Sequence, residues 1–101
     1  MKRARFIALA REEFLTEVAY YDQVQPGQGS RFVAAAEEAT VRALAFPLAG
    51  APSAPGARRV FLKGFPFSIV YRPEADGIVV FAVAHHSRLP GYWRSRVGTP
   101  T

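Results

Sequence analysis

Phe67-Ser68-Ile69-Val70-Tyr71-Arg72 and Ile78-Val79-Val80-Phe81-Ala82-Val83-Ala84 flank the short connector Pro73-Glu74-Ala75-Asp76-Gly77, and the architecture follows from this stretch. The first segment is rich in β-branched and aromatic residues and alternates Phe67, Ile69 and Tyr71 on one face, the period of a half-buried strand. The second is apolar at every position, as expected of a central strand covered on both faces. Asp-Gly at the end of the connector favours a tight turn, so the two strands pair antiparallel. One face of this pair then needs helices, and the other needs a second covering element.

Working outward, Arg59-Val60-Phe61-Leu62-Lys63 alternates and predicts a third strand. Residues 47–57, with three prolines and two glycines, read as a loop without regular structure. Upstream, Phe32, Ala36, Ala39, Ala43 and Phe46 fall at helical spacing, and Pro47 ends that helix. An earlier helix runs from about Glu12 to Gln23, with Phe14, Val18 and Tyr21 on its apolar stripe and Glu12 and Glu13 in its first turn. Pro26-Gly27-Gln28-Gly29 separates the two helices, which form an antiparallel hairpin. Arg5-Phe6-Ile7-Ala8 supplies a further strand. The order β-α-α-β-β-β predicts a single α+β domain over residues 1–101, a helical hairpin packed on an antiparallel sheet, with room for a short C-terminal helix.

A chain of 101 residues that is half hydrophobic buries enough surface to fold without metals or disulfides. It has no cysteine, which excludes thiolate metal sites and agrees with a cytoplasmic location. No apolar run approaches the ~20 residues of a membrane span. Charge is segregated: residues 1–56 carry six basic and six acidic side chains, whereas residues 57–101 carry seven basic and only Glu74 and Asp76. The net +5 therefore belongs to the second half, which suits a polyanionic or acidic partner and equally suits a well-solvated surface.

The densest chemistry lies in His85-His86-Ser87-Arg88-Leu89-Pro90-Gly91-Tyr92-Trp93-Arg94-Ser95-Arg96, which combines two histidines, three arginines, a Tyr and the only Trp. RNA cleavage by a 2′-hydroxyl needs a base, cations for the phosphorane and an acid. Arg59, Lys63, Arg72 and His85 are candidates for those roles, and Tyr92 or Trp93 for stacking on a base. Each also has a structural reading. His85 suits a ring hydrogen bond that holds the following turn, and Tyr92 and Trp93 suit a cap over the end of the sheet. Arg58 and Arg59 suit a charged strand edge. Carboxylates are not paired for metal-assisted hydrolysis, and no metal or cofactor is expected.

Ala19-Tyr20-Tyr21, Gly29-x-x-Phe32, Pro47, Arg58-Arg59, Phe65-Pro66-Phe67-Ser68-Ile69-Val70-Tyr71 and Ala82-Val83-Ala84-His85 followed by Arg88-x-Pro90-x-Tyr92-Trp93-x-x-Arg96 resemble the RelE/ParE superfamily of bacterial type II toxins. The C-terminal motif is more similar to the ParE-like branch. The resemblance implies a toxin silenced by a cognate antitoxin and directed at DNA gyrase by binding. In the RelE-like alternative the toxin cuts messenger RNA on the ribosome. Clustered lysines typify the nucleases, and this chain has only Lys63 beyond Lys2. Arg88, Tyr92, Trp93, Arg94 and Arg96 are the expected target-binding residues under the gyrase reading. The antitoxin is expected to lay a helix and a strand on the toxin, in a groove near Phe14, Val18, Tyr21 and Phe32.

Overall fold

A computed structural model describes residues 2–98. Five strands and three helices follow in the order β1 (Arg3–Phe6), α1 (Ala8–Val24), α2 (Gln28–Ala45), β2 (Ala51–Ala54), β3 (Ala57–Phe61), β4 (Phe67–Glu74), β5 (Gly77–His85) and α3 (Arg94–Val97). The sheet order is β1-β5-β4-β3-β2. β2 through β5 pair antiparallel, as a meander of short connections dictates. β1 lies parallel to β5, Arg3 opposite Gly77 and Phe6 opposite Val80, so the sheet is mixed. The long helical crossover between β1 and the meander permits that parallel pairing.

α1 starts at Ala8, four residues before the sequence expectation, because Ala8-Leu9-Ala10 favours helix and Arg11 N–H bonds back to the Ile7 carbonyl. Glu12 and Glu13 therefore lie beyond its first turn. α2 starts at Gln28, with Gly27 in the left-handed region at φ 91°. Gly29 sits where the two helices nearly touch. A Cβ there would meet the Asp22 carboxylate at 2.6 Å and the Val18 carbonyl at 2.7 Å, and the Gly29 N–H bonds Asp22 Oδ1 at 2.8 Å.

The expected loop 47–57 contains a strand after all. β2 has no hydrophobic alternation and forms by backbone pairing with β3, interrupted by a register shift near Pro52. Arg58 fixes the preceding residues by donating to the carbonyls of Leu48 and Gly50 at 3.0 and 2.8 Å.

Two cores sandwich the sheet. On one face the α2 stripe Phe32, Ala36, Ala39 and Ala43 packs against Phe67, Ile69, Tyr71, Ile78, Val80 and Val83. On the other, Val70, Val79, Phe81, Ala82 and Ala84 lie under Trp93 and Val97. The second cover anticipated from β5 is thus the C-terminal segment. Val70 pairs with Ala82 but Tyr71 with Val80, so Phe81 is a bulge residue and Phe81 and Ala82 both serve the second core.

Candidate functional site

Residues 86–98 leave β5, turn at Gly91 and return as α3 across the second face of the sheet. His85 Nδ1 accepts from the N–H of Ser87 at 2.9 Å and pairs with its hydroxyl at 2.6 Å, so this histidine holds the turn. Trp93, only 5% exposed, fills the space beneath the segment. Tyr92 donates its hydroxyl to Glu13 Oε2 at 2.7 Å, and Arg96 forks onto both Glu13 oxygens at 3.1 and 3.2 Å. Burial raises the Tyr92 pKa far above the usual phenolic value, and the hydrogen bond to the Glu13 carboxylate raises it further.

Glu13 was not among the residues singled out, although it organises the region. β1 ends at Phe6, so β5 beyond Val80 has no strand beside it on that edge. There the Val83 N–H donates to Glu13 Oε1 at 3.1 Å and the Phe81 carbonyl accepts from Arg96 at 3.0 Å. An ion pair from the two ends of the chain takes over where strand pairing stops. Chain separation of more than eighty residues between Glu13 and Arg96 left no sequence signal for it.

The five expected target-binding residues divide. Arg88 and Arg94 are exposed, Tyr92 and Arg96 are half-buried in the Glu13 network, and Trp93 belongs to the core. The surface role expected of Trp93 is corrected accordingly, since the indole is spent covering β4 and β5. Arg88 lies over the Tyr92 ring, its guanidinium carbon 3.9 Å from the centroid.

The four candidate nuclease residues are likewise not one constellation. Arg59 and His85 line the same cleft of about 250 Å³, together with Ser68, His86, Arg88 and Arg94. Lys63 lies beyond the end of β3, 76% exposed, 3.8 Å from Glu38 of α2. Arg72 is engaged elsewhere, donating to the Val97 carbonyl at 3.1 Å and flanking Glu74 at 3.7 Å.

The residues expected to form an antitoxin groove also divide. Phe32 is fully buried, and Val18 and Tyr21 pack inward beside it, with the Tyr21 and Phe32 ring centroids 5.3 Å apart. Inward packing is the ordinary fate of a hairpin's apolar stripe, so Phe32 offers no surface. Phe14 does reach a groove of about 910 Å³, bounded by α1, α2 and β1, with Phe6, Leu15, Val33 and Val41 on its walls. Arg3, Arg5 and Arg11 also line it, as do Glu37, Glu74 and Asp76.

Among the described residues no group of His, Cys, Asp or Glu is arranged to hold a metal ion, and no helix is long and apolar enough to cross a membrane. A search of curated proteins found no match. A chain of the chromosomal ParDE TA system from P. aeruginosa superposes with a TM-score of 0.71 at 19% identity, covering 84% of this chain and 96% of that one, a likeness of fold. The family model describing the ParE toxin of the type II toxin-antitoxin system parDE matches residues 5–90, which span the end of β1, α1, α2 and β2 through β5, and on that evidence this chain belongs to the ParE toxin family.

Proposed function

We propose that this toxin arrests growth by binding DNA gyrase rather than by cutting RNA, and that a cognate antitoxin silences it by occupying the groove between the hairpin and β1. The observation that carries the first part is the separation of Lys63 and Arg72 from the cleft that Arg59 and His85 line, together with the engagement of His85 Nδ1 by Ser87, so the four residues expected to act together on a 2′-hydroxyl attack do not meet. Arg88 and Arg94, on a segment clamped by Glu13 and Trp93, are the target-facing residues in this reading.

The antitoxin site rests on edge chemistry. Both sheet edges are open, but β2 contains Pro52 and a register shift, features that discourage a further strand. β1 has neither, and its edge adjoins the apolar groove that contains Leu15 and Val41, both more than half exposed. A partner segment that adds a strand to β1 and lays an apolar helix face into the groove satisfies both surfaces.

Purified toxin incubated with gyrase, ATP and supercoiled DNA tests the target. Accumulated cleaved DNA is the expected result, and codon-dependent cuts in messenger RNA on translating ribosomes would replace this reading with the nuclease one. Leu15→Asp and Val41→Asp are expected to weaken antitoxin binding at least tenfold by placing a charge against an apolar helix face. Unchanged affinity would move the antitoxin to another surface.

A further inference from the structure

The cleft of about 250 Å³ between the end of the sheet and the 86–94 segment has a composition that the family assignment does not account for. Arg59, Arg88 and Arg94 line it, with His85 and His86, and no aspartate or glutamate is among its lining residues. Five cations elsewhere are ion-paired, Arg5 with Glu74, Arg42 with Glu38, Lys63 with Glu38, Arg72 with Glu74 and Arg96 with Glu13, and the unpaired Arg3 and Arg11 line a groove that also holds Glu37, Glu74 and Asp76. None of the three cleft arginines is in an ion pair with a carboxylate among the described residues. Three like charges around one concavity repel one another, and an anion placed between them relieves that repulsion.

Two of the three guanidinium groups rest on aromatic rings before any ligand arrives. Arg88 lies over the ring of Tyr92, itself tied to Glu13. Arg59 sits over the Phe61 ring, 5.3 Å from its centroid. Arg94 lies against Gly91, where φ is 76° and where a Cβ would come within 2.6 Å of Arg94 Nε. The floor is polar, since the buried hydroxyl of Ser68 shares a 2.9 Å hydrogen bond with His86 Nε2. Pre-set donors lose little side-chain entropy on binding, and guanidinium groups match phosphate oxygens in geometry.

The cleft's size and surroundings narrow the ligand. Its volume lies below the ~300 Å³ at which pockets begin to enclose whole small molecules, so it suits one part of a longer chain. Phe61 stands beside the cleft, 48% exposed although it belongs to a strand, with His86 edge-on at 5.4 Å. An exposed ring next to unpaired arginines is the arrangement that single-stranded nucleic acids use, with a phosphate among the cations and the adjoining base on the aromatic face.

We propose that this cleft binds a backbone phosphate of a single-stranded nucleic acid, held by Arg59, Arg88 and Arg94, with the neighbouring base stacked on Phe61. The site is for binding only. Ser68 is buried and committed to His86, and no chemical step is assigned to it. The inference does not rest on gyrase being the target, because the gyrase assay reads inhibition of that enzyme and the binding assay uses nucleic acid alone.

Fluorescence anisotropy with labelled single-stranded DNA and RNA 12-mers on the full chain tests it. Saturable binding at about 50 mM salt is expected, with affinity falling as salt rises by a slope of about 0.7 per phosphate neutralised. Arg88→Ala with Arg94→Ala is expected to weaken binding about tenfold or more and to make that slope shallower by about one. Phe61→Ala should cost about tenfold, and Phe61→Trp should restore binding. Lys2→Ala with Arg31→Ala, an equal charge loss at two exposed positions outside the cleft, should change affinity less than twofold. All the altered side chains are at least partly exposed, so circular dichroism should show an unchanged fold. Comparison of the DNA and RNA arms identifies which backbone is preferred. Absence of binding to either, an equal loss for the Lys2→Ala, Arg31→Ala pair and the Arg88→Ala, Arg94→Ala pair, or full affinity in Phe61→Ala would overturn the proposal.

Discussion

Glu13 gathers the Val83 N–H, the Tyr92 hydroxyl and both arms of Arg96 around one carboxylate whose side chain is 18% exposed. Glu13→Gln keeps the shape but leaves Arg96, itself 14% exposed, without its counter-ion. A loss of about 2 kcal/mol in urea unfolding is expected, below the value for a fully buried pair because water still reaches both groups. Tyr92 supplies a pH dependence whose sign follows from its raised pKa. The unfolded phenol ionises near its ordinary value of 10 while the folded one stays protonated, so the contribution is complete below pH 10 and falls as pH climbs toward the folded pKa. The urea midpoint should therefore drop as pH rises above about 10, and Tyr92→Phe should flatten that drop. Tyr21 and Tyr71 are also raised, chiefly by burial, so some slope remains in the variant.

At the scale of elements, α3 is a single helical turn that is held by what it covers. Its stability derives from Trp93 and Val97 over the second core and from Arg96 on Glu13. Trp93→Ala should cost about 3–4 kcal/mol, read from denaturant unfolding. It should also expose the 86–98 segment to limited proteolysis before the hairpin opens, because the first core does not use that segment. β1 is held differently. Gly77, at φ 149°, faces Arg3 so closely that a Cβ would collide with the Arg3 carbonyl, so the parallel pairing depends on that missing side chain. Both elements come from the ends of the chain, and both flank the proposed binding surfaces.

For the whole molecule, three of the seven basic side chains in residues 57–101, Arg59, Arg88 and Arg94, share one concavity, while Glu13 is drawn from the N-terminal half to neutralise Arg96. Long-range attraction from a net charge of +5 should make capture of an acidic antitoxin tail strongly salt-dependent. Stopped-flow association rates are expected to fall about tenfold between 50 and 500 mM salt, with dissociation rates nearly constant. A rate insensitive to salt would show that the field plays no part in capture.

Local patterns in the sequence were enough for the hairpin, the β3–β5 meander, the turn at Asp76-Gly77 and the need for covers on both faces of β5. Helical and strand periods are written into neighbouring residues, and hydrophobic burial acts on them wherever the chain ends up. The functional family was legible through the Phe65–Tyr71 and His85–Arg96 motifs. Only the tertiary structure decided the direction of β1, the existence of β2, the inward fate of Trp93 and Phe32, and the separation of Lys63 and Arg72 from Arg59 and His85. Those outcomes depend on partners tens of residues away, such as Glu13 for Arg96 and Glu38 for Lys63, and spacing along a chain carries no record of contacts made by its folding back.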